Sequence, residues 1–118
     1  MDKIQITALN LTGNRLLFKT ETKVNGLKPS GQMLVDSDGL AFIYLMENEE
    51  SYTYIVLPEP IWDSLKVGLN EKRPVFISDG QEELELHNFK EELEYLISNI
   101  KGNSNYGEEM VTKVENTF

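Results

Sequence analysis

Few side chains in this chain are equipped for chemistry, and they are scattered. His87 is the only histidine, and there is no cysteine. A Ser-His-Asp triad needs just one imidazole, but no serine here stands in a nucleophile-elbow pattern. His87 falls where a strand hands over to a helix, so a structural or solvent-facing role outweighs that of a base. With no thiol and one imidazole, a transition-metal site would have to be built mostly from carboxylates, and none is expected. Disulfide scaffolds and cysteine-held zinc or iron–sulfur centres are excluded by count. No catalytic residue is assigned, and no cofactor is expected.

Asp36-Ser37-Asp38-Gly39 is the one carboxylate cluster with a hard-cation flavour, since calcium and magnesium take oxygen ligands. The spacing fails: Leu40 stands where a third ligand belongs, and no glutamate closes the loop at its twelfth position. The same residue types make tight turns, and the turn reading outweighs a metal or acid–base role. The glycines form neither GxxxxGK[ST] nor GxGxxG, so neither standard phosphate cradle is present.

Tyr44, Tyr52, Tyr54 and Trp62 lie close enough in sequence to meet across neighbouring strands. They suit a pocket or a protein-binding patch, and equally the core of a small domain; core is the stronger reading. Glu91, Glu92 and Glu94, preceded by Glu82, Glu83 and Glu85, form the most acidic stretch. Such a stretch is ordinarily a solvated helix face and a charged edge strand. Its functional alternative is a docking surface for a basic protein partner.

These candidates must be positioned by a chain of 118 residues with 20 acidic and 11 basic side chains, a net charge of −9. Its length suits one α+β domain over residues 1–118. Residues 1–78 hold ten acidic and eight basic side chains, and residues 79–118 hold ten and three. A surface so negative repels phosphate backbones and anionic lipid, so neither nucleic acid nor membrane is expected as a partner. There is no basic-then-apolar leader pattern at the N-terminus, no lipidation signal at the C-terminus and no apolar run of about 20 residues. A cytoplasmic location is the expectation.

Strand patterns dominate the first half. Ile4, Ile6 and Ala8 alternate with polar residues, as in a half-buried strand. Thr12-Gly13-Asn14 turns the chain into a second extended segment carrying Leu16, Phe18, Thr20, Thr22 and Val24, and Asn25-Gly26 favours a tight turn. Lys28-Pro29-Ser30-Gly31 reads as loop. Residues 32–35 and 40–46 read as a strand pair, the second strand apolar on both faces and so expected to be central and covered on each side. Residues 52–57 add a strand, and 74–77 with 82–86 a hairpin.

A helix follows Pro60, with Ile61, Trp62, Leu65 and Leu69 as its apolar stripe. Asn88 with Glu91 reads as a capping box opening a second helix, whose stripe is Phe89, Leu93, Leu96, Ile97 and Ile100. Gly102 suits its C-terminal cap. Asn105 with Glu108 repeats the capping pattern before a last helix bearing Met110, Val111, Val114 and Phe118. The result is an α+β fold: a mostly antiparallel sheet of six to eight strands with two or three helices, the C-terminal ones packed on the sheet.

Two stretches carry a family likeness. Residues 31–38, GQMLVDSD, with the aromatic strand after them, and residues 95–109, YLISNIKGNSNYGEE, resemble the corresponding segments of the YjbL-like uncharacterised family of Bacillus-type, low-GC Gram-positive bacteria. The resemblance spans nearly the whole chain and implies a small soluble bacterial protein. It implies no activity, so no functional residue is carried over. The second stretch is an interhelical loop in which Asn103, Asn105 and Tyr106 are candidate contact residues, although capping alone accounts for Gly102 and Asn105.

The leading expectation is a non-catalytic cytosolic protein-binding or regulatory module. A small carboxylate-dependent enzyme or small-molecule binder using Asp36, Asp38 and the Tyr/Trp group is the alternative. A third is an acidic nucleic-acid mimic occupying a basic protein, which requires Glu91, Glu92 and Glu94 on one exposed surface. Homodimerisation through an alternating strand such as residues 4–8 is left open.

Overall fold

The structure, a computed structural model, describes residues 2–118. Eight strands and three helices follow one another: β1 (Asp2–Gln5), β2 (Ala8–Thr12), β3 (Arg15–Lys19), β4 (Lys28–Asp36), β5 (Ala41–Glu47), β6 (Tyr52–Pro58), α1 (Trp62–Asn70), β7 (Val75–Ser78), β8 (Glu83–Glu85), α2 (Phe89–Ile100) and α3 (Glu108–Thr117). This is the expected α+β class. The strands divide into two four-stranded sheets, ordered β1-β6-β5-β4 and β2-β3-β7-β8. Hairpin neighbours pair antiparallel, whereas β1 joins β6 and β3 joins β7 in parallel.

Local chemistry explains most boundaries. Gly13, at φ +58°, takes the first central position of the two-residue β2–β3 turn, where a positive φ is required. The Asp36 carboxylate accepts from Gly39 N–H at 3.0 Å and closes the β4–β5 turn, so Asp36-Ser37-Asp38-Gly39 is a turn as expected. Pro60 lies in a short 3-10 turn that leads into α1. The expected first strand stops earlier than its alternation suggested: Ile4 and Ile6 are buried, but Ala8 already belongs to β2 and is exposed.

Lys28–Gly31 is strand, not loop, and the β4–β5 register shifts between Pro29 and Met33. At that bulge the buried Gly31 adopts φ +76°. Its N–H donates to the Tyr44 hydroxyl at 3.1 Å, and that hydroxyl donates to the His87 carbonyl at 2.8 Å. The His87 ring Nε2 lies 3.0 Å from the Pro29 carbonyl, and Asn88 Nδ2 donates to the Gly31 carbonyl. His87 and Asn88 thus fasten the start of α2 to the bulge. Asn88 adopts φ +63° and makes no side-chain cap, because its amide is turned to Gly31. The second expected capping box is likewise replaced: Gly107 precedes α3, and Asn103 caps the preceding 3-10 turn through Asn105 N–H.

Both sheets turn one face into a single core. From the first sheet it takes Ile4, Phe42, Tyr44, Met46, Ile55 and Leu57; from the second, Leu16, Phe18, Val75 and Ile77. All three helices lay their apolar residues on this same core: Trp62, Leu65 and Leu69 from α1, Phe89, Leu93 and Ile100 from α2, Met110 and Val114 from α3. Two aromatic groups hold it together. Phe42, Trp62 and Phe118 meet with centroids 5.1–6.2 Å apart, and Phe89 contacts both Phe18 and Tyr44.

Candidate docking surface

The sequence-level candidates end up in different places. Tyr44 and Trp62 are fully buried core residues. Burial pushes the Tyr44 hydroxyl up to about 12, and nearby Glu92 adds to the rise while the Gly31 N–H opposes it. Tyr52 and Tyr54 point the other way, out of the first sheet, because side chains alternate along a strand. The Tyr/Trp group is therefore split between two faces and does not converge on Asp36 and Asp38.

On α2, Glu91 and Glu94 are exposed and one turn apart, with Tyr95 beside them 63% exposed. Glu92 is half-buried and lies about 100° around the helix from Glu91. Asn103 is half-buried and Asn105 exposed. Tyr106 is half-buried and packs against the core. Among the described residues there is no group of three or more His, Cys, Asp or Glu side chains placed to hold a metal ion.

A cleft of about 710 Å3 opens at the ends of β1, β3 and β7 and is lined by polar residues including Thr7, Lys19, Thr20, Ser78 and Asp79. Its one strongly perturbed group is structural. Asp79 accepts backbone N–H bonds from Val24 at 3.0 Å and from Gln81 and Glu82 at 2.8 Å. Those bonds, Glu82 first, pull its carboxyl down from 3.8 to about 2. They tie the 20–24 loop to the β7–β8 turn.

A carboxyl whose pKa is depressed in the folded state contributes stability above its unfolded value and loses it on acidification. The stability gap between the wild type and Asp79→Asn is therefore expected to be full above pH 4 and to close as pH falls from about 4 to 2. Urea titrations of both proteins across that range check it; a gap independent of pH would show that the carboxylate charge is not what holds the loop.

The feature that stands apart is the outer face of the first sheet. Register places four rows across it: Leu34, Ile43, Val56 and Gln5; Leu45, Tyr54 and Lys3; Asp36, Ala41 and Pro58; and Lys28, Glu47 and Tyr52. Ala41, Ile43, Leu45 and Val56 lie outside the core cluster, on the side away from every helix stripe. All four are buried, at 2–8% exposure, while Leu34 and Tyr52 on the same side stand out at 44% and 43%.

β5 is central and buried on both faces, as expected: Phe42, Tyr44 and Met46 face the core, and Ala41, Ile43 and Leu45 on the other side are buried too. The outer face of the second sheet differs: its apolar Phe76 lies under the Arg15 guanidinium, 5.0 Å from ring centre to Cζ, and Arg15 pairs with Glu83. The sequence signal for this double-sided burial is the double-sided apolarity of residues 40–46.

Fold and face together define a small two-sheet α+β domain whose first sheet presents one face to the core and the other outward. Residues 4–118 match UPF0738, a family of unknown function, and the chain belongs to that family. Its relatives include UPF0738 proteins of Bacillus licheniformis, 48% identical over 118 residues, and of Bacillus mycoides strain KBAB4, 42% identical over 120. In both cases the match covers 99% of this chain and 98% of the relative. The Bacillus-type likeness seen in residues 31–38 and 95–109 is thus borne out over nearly the full length. No solved structure matches the chain.

Proposed function

We propose that this chain is a non-catalytic cytosolic protein-binding module, and that it docks through the outer face of its first sheet. The observation that supports this reading most is the pair Leu34 and Tyr52, exposed at 44% and 43% on the side of the first sheet turned away from the core. Exposed apolar side chains among polar ones suit protein association, in which buried apolar area drives binding and the polar surroundings set orientation. The family of unknown function leaves the reading free of any inherited activity.

The acidic helix offers a second surface, since Glu91 and Glu94 are exposed beside Tyr95. Glu92 leans from that surface toward the core, which weakens a phosphate-like array and favours the sheet face. The two surfaces separate in a capture experiment on native-type bacterial lysate at moderate salt. Leu34→Glu is expected to abolish protein capture, and the triple Glu91/Glu92/Glu94→Gln variant to leave it unchanged. The reverse pattern would move the docking site to α2, and capture of nothing by any form, a second copy of the chain included, would remove the module reading.

A further inference from the structure

We infer that the free edge of the second sheet, strand β2, pairs with β2 of a second copy of this chain and joins the two sheets into one. The inference goes beyond the docking reading above and concerns a different surface.

Hydrogen-bond direction fixes what that edge offers. Leu16 N–H donates to the carbonyl of Pro74, just before β7, and Thr20 N–H to that of Ser78, at its end. The even-numbered residues of β3 thus bond toward β7. Its odd-numbered residues Arg15, Leu17 and Lys19 bond to their β2 partners Thr12, Asn10 and Ala8. The backbone groups of Leu9 and Leu11 are left pointing away from the sheet, and neither N–H has a backbone partner among the described residues. In the orientation that satisfies both its ends, the Asn10 amide donates to the Leu9 carbonyl at 3.0 Å, which keeps its second lone pair. Ala8, Asn10, Leu11 and Thr12 are all exposed.

The other three edges are blunted. β8 is three residues long with two glutamates, and β1 opens on the charged Asp2 and Lys3. β4 carries Pro29 and the Gly31 bulge, with His87 and Asn88 bound to it. β2 has no charge, no proline and no register shift, so it lacks the devices that keep an edge from pairing.

The strand also sets the register. Antiparallel copies exchange bonds only where outward-pointing residues face each other. Leu9 opposite the partner's Leu11 meets this condition at both ends of a two-fold axis through Asn10, and it pairs the whole of β2. Centring the axis on Leu9 or on Leu11 leaves one bonded couple and an overhanging strand. Leu9 and Leu11 lie on the side of the core residues Phe18 and Leu16, so this register lays Leu11, 37% exposed, against the partner's Leu9. On the other side uncharged Ala8, Asn10 and Thr12 face one another. A strand matched to itself is an isologous contact, made by strand addition at an edge.

Five residues rising about 3.3 Å each give a contact roughly 17 Å long. That is well under a standard interface of about 800 Å2 per partner, so the dimer is reversible, with a dissociation constant of about 10–500 µM. Each copy carries a net charge of −9, and the repulsion is screened beyond about 8 Å at physiological salt.

Sedimentation velocity and amide hydrogen exchange on the full chain, over about 1–1,000 µM protein at physiological salt, test this. The wild type is expected to pass from monomer to dimer, and the Leu9 and Leu11 amide protons to slow by about 5-fold or more as it does. Leu11→Pro removes an N–H that β3 does not use and should raise the dissociation constant by about 10-fold or more. Leu11→Lys puts a charge on the edge with the backbone intact and should do the same, so it reads the edge even if the proline weakens the fold. Leu34→Glu, on the other sheet, should dimerise like the wild type. A wild type that stays monomeric, a dimer whose Leu9 and Leu11 amides exchange at the monomer's rate, or association kept by Leu11→Lys and lost with Leu34→Glu overturns the inference.

Discussion

Trp62→Ala is expected to destabilise the chain by about 3–5 kcal/mol, the range for deleting a buried tryptophan. Trp62 is fully buried, and its ring lies 5.1 Å from Phe42 and 5.8 Å from Phe118. Its indole N–H donates to the Leu57 carbonyl at 3.0 Å. Alanine would open a cavity between α1, the first sheet and the chain's last residue, and would leave that carbonyl without its donor. A domain of this size has about 5–15 kcal/mol in total, so the variant should be marginal at room temperature. Trp62 is the only tryptophan, so the urea midpoint must be followed by circular dichroism. Trp62→Phe, which keeps a ring and loses only the donor, should sit well above Trp62→Ala; equal losses would mean that the hydrogen bond outweighs the packing.

Gly68 gives the second large effect, with the opposite physical cause. It lies inside α1, where alanine ordinarily stabilises a helix by about 1 kcal/mol over glycine. Here a Cβ would fall 2.1 Å from Leu16 Cδ1 and 3.2 Å from Leu11 Cδ2. Leu16 is fully buried on β3 and has no free space to retreat into. Overpacking of a filled core costs about 1–3 kcal/mol for the first added carbon, enough to reverse the helix gain. Gly68→Ala is therefore expected to lower the melting temperature, and Gly68→Val to lose roughly 3 kcal/mol or more. A Gly68→Ala variant more stable than the wild type would show that α1 does not press on β3 as closely as the distances state.

The elements legible in the sequence were those whose physics is local. The helix stripes through Trp62, Leu65 and Leu69, and through Phe89, Leu93 and Ile100, are read from a period of 3.6 alone and recur as buried faces. The Asp36–Gly39 and Asn25-Gly26 turns follow from residue type. The division into two sheets was not legible, because it depends on β1 finding β6 and β3 finding β7, choices made by tertiary packing and not by any short window.

Lys28–Gly31 reads as loop because proline, serine and glycine together are turn signals. The bulge uses those same residues to bend a strand, and the reason appears only once Tyr44 and His87 are brought to Gly31. Asn88 misled for a related cause: its cap position was right in sequence, but its amide had a stronger tertiary partner. The double-sided burial of β5 is legible, because residues 40–46 are apolar on both faces and Ala41–Met46 are buried on both.

The two parallel pairs have a consequence for how the chain comes into being. A polypeptide is made from its N-terminus, and β1 and β3 are finished roughly fifty to sixty residues before the strands they pair with. Until then Ile4, Ile6, Leu16 and Phe18 have only the β2–β3 hairpin to shelter in. The β4–β5–β6 meander, whose pairings are all between successive strands, supplies the partner of β1, whereas β3 waits for β7. The oldest strands of the nascent chain thus wait for partners made about half a chain later, β1 for β6 and β3 for β7.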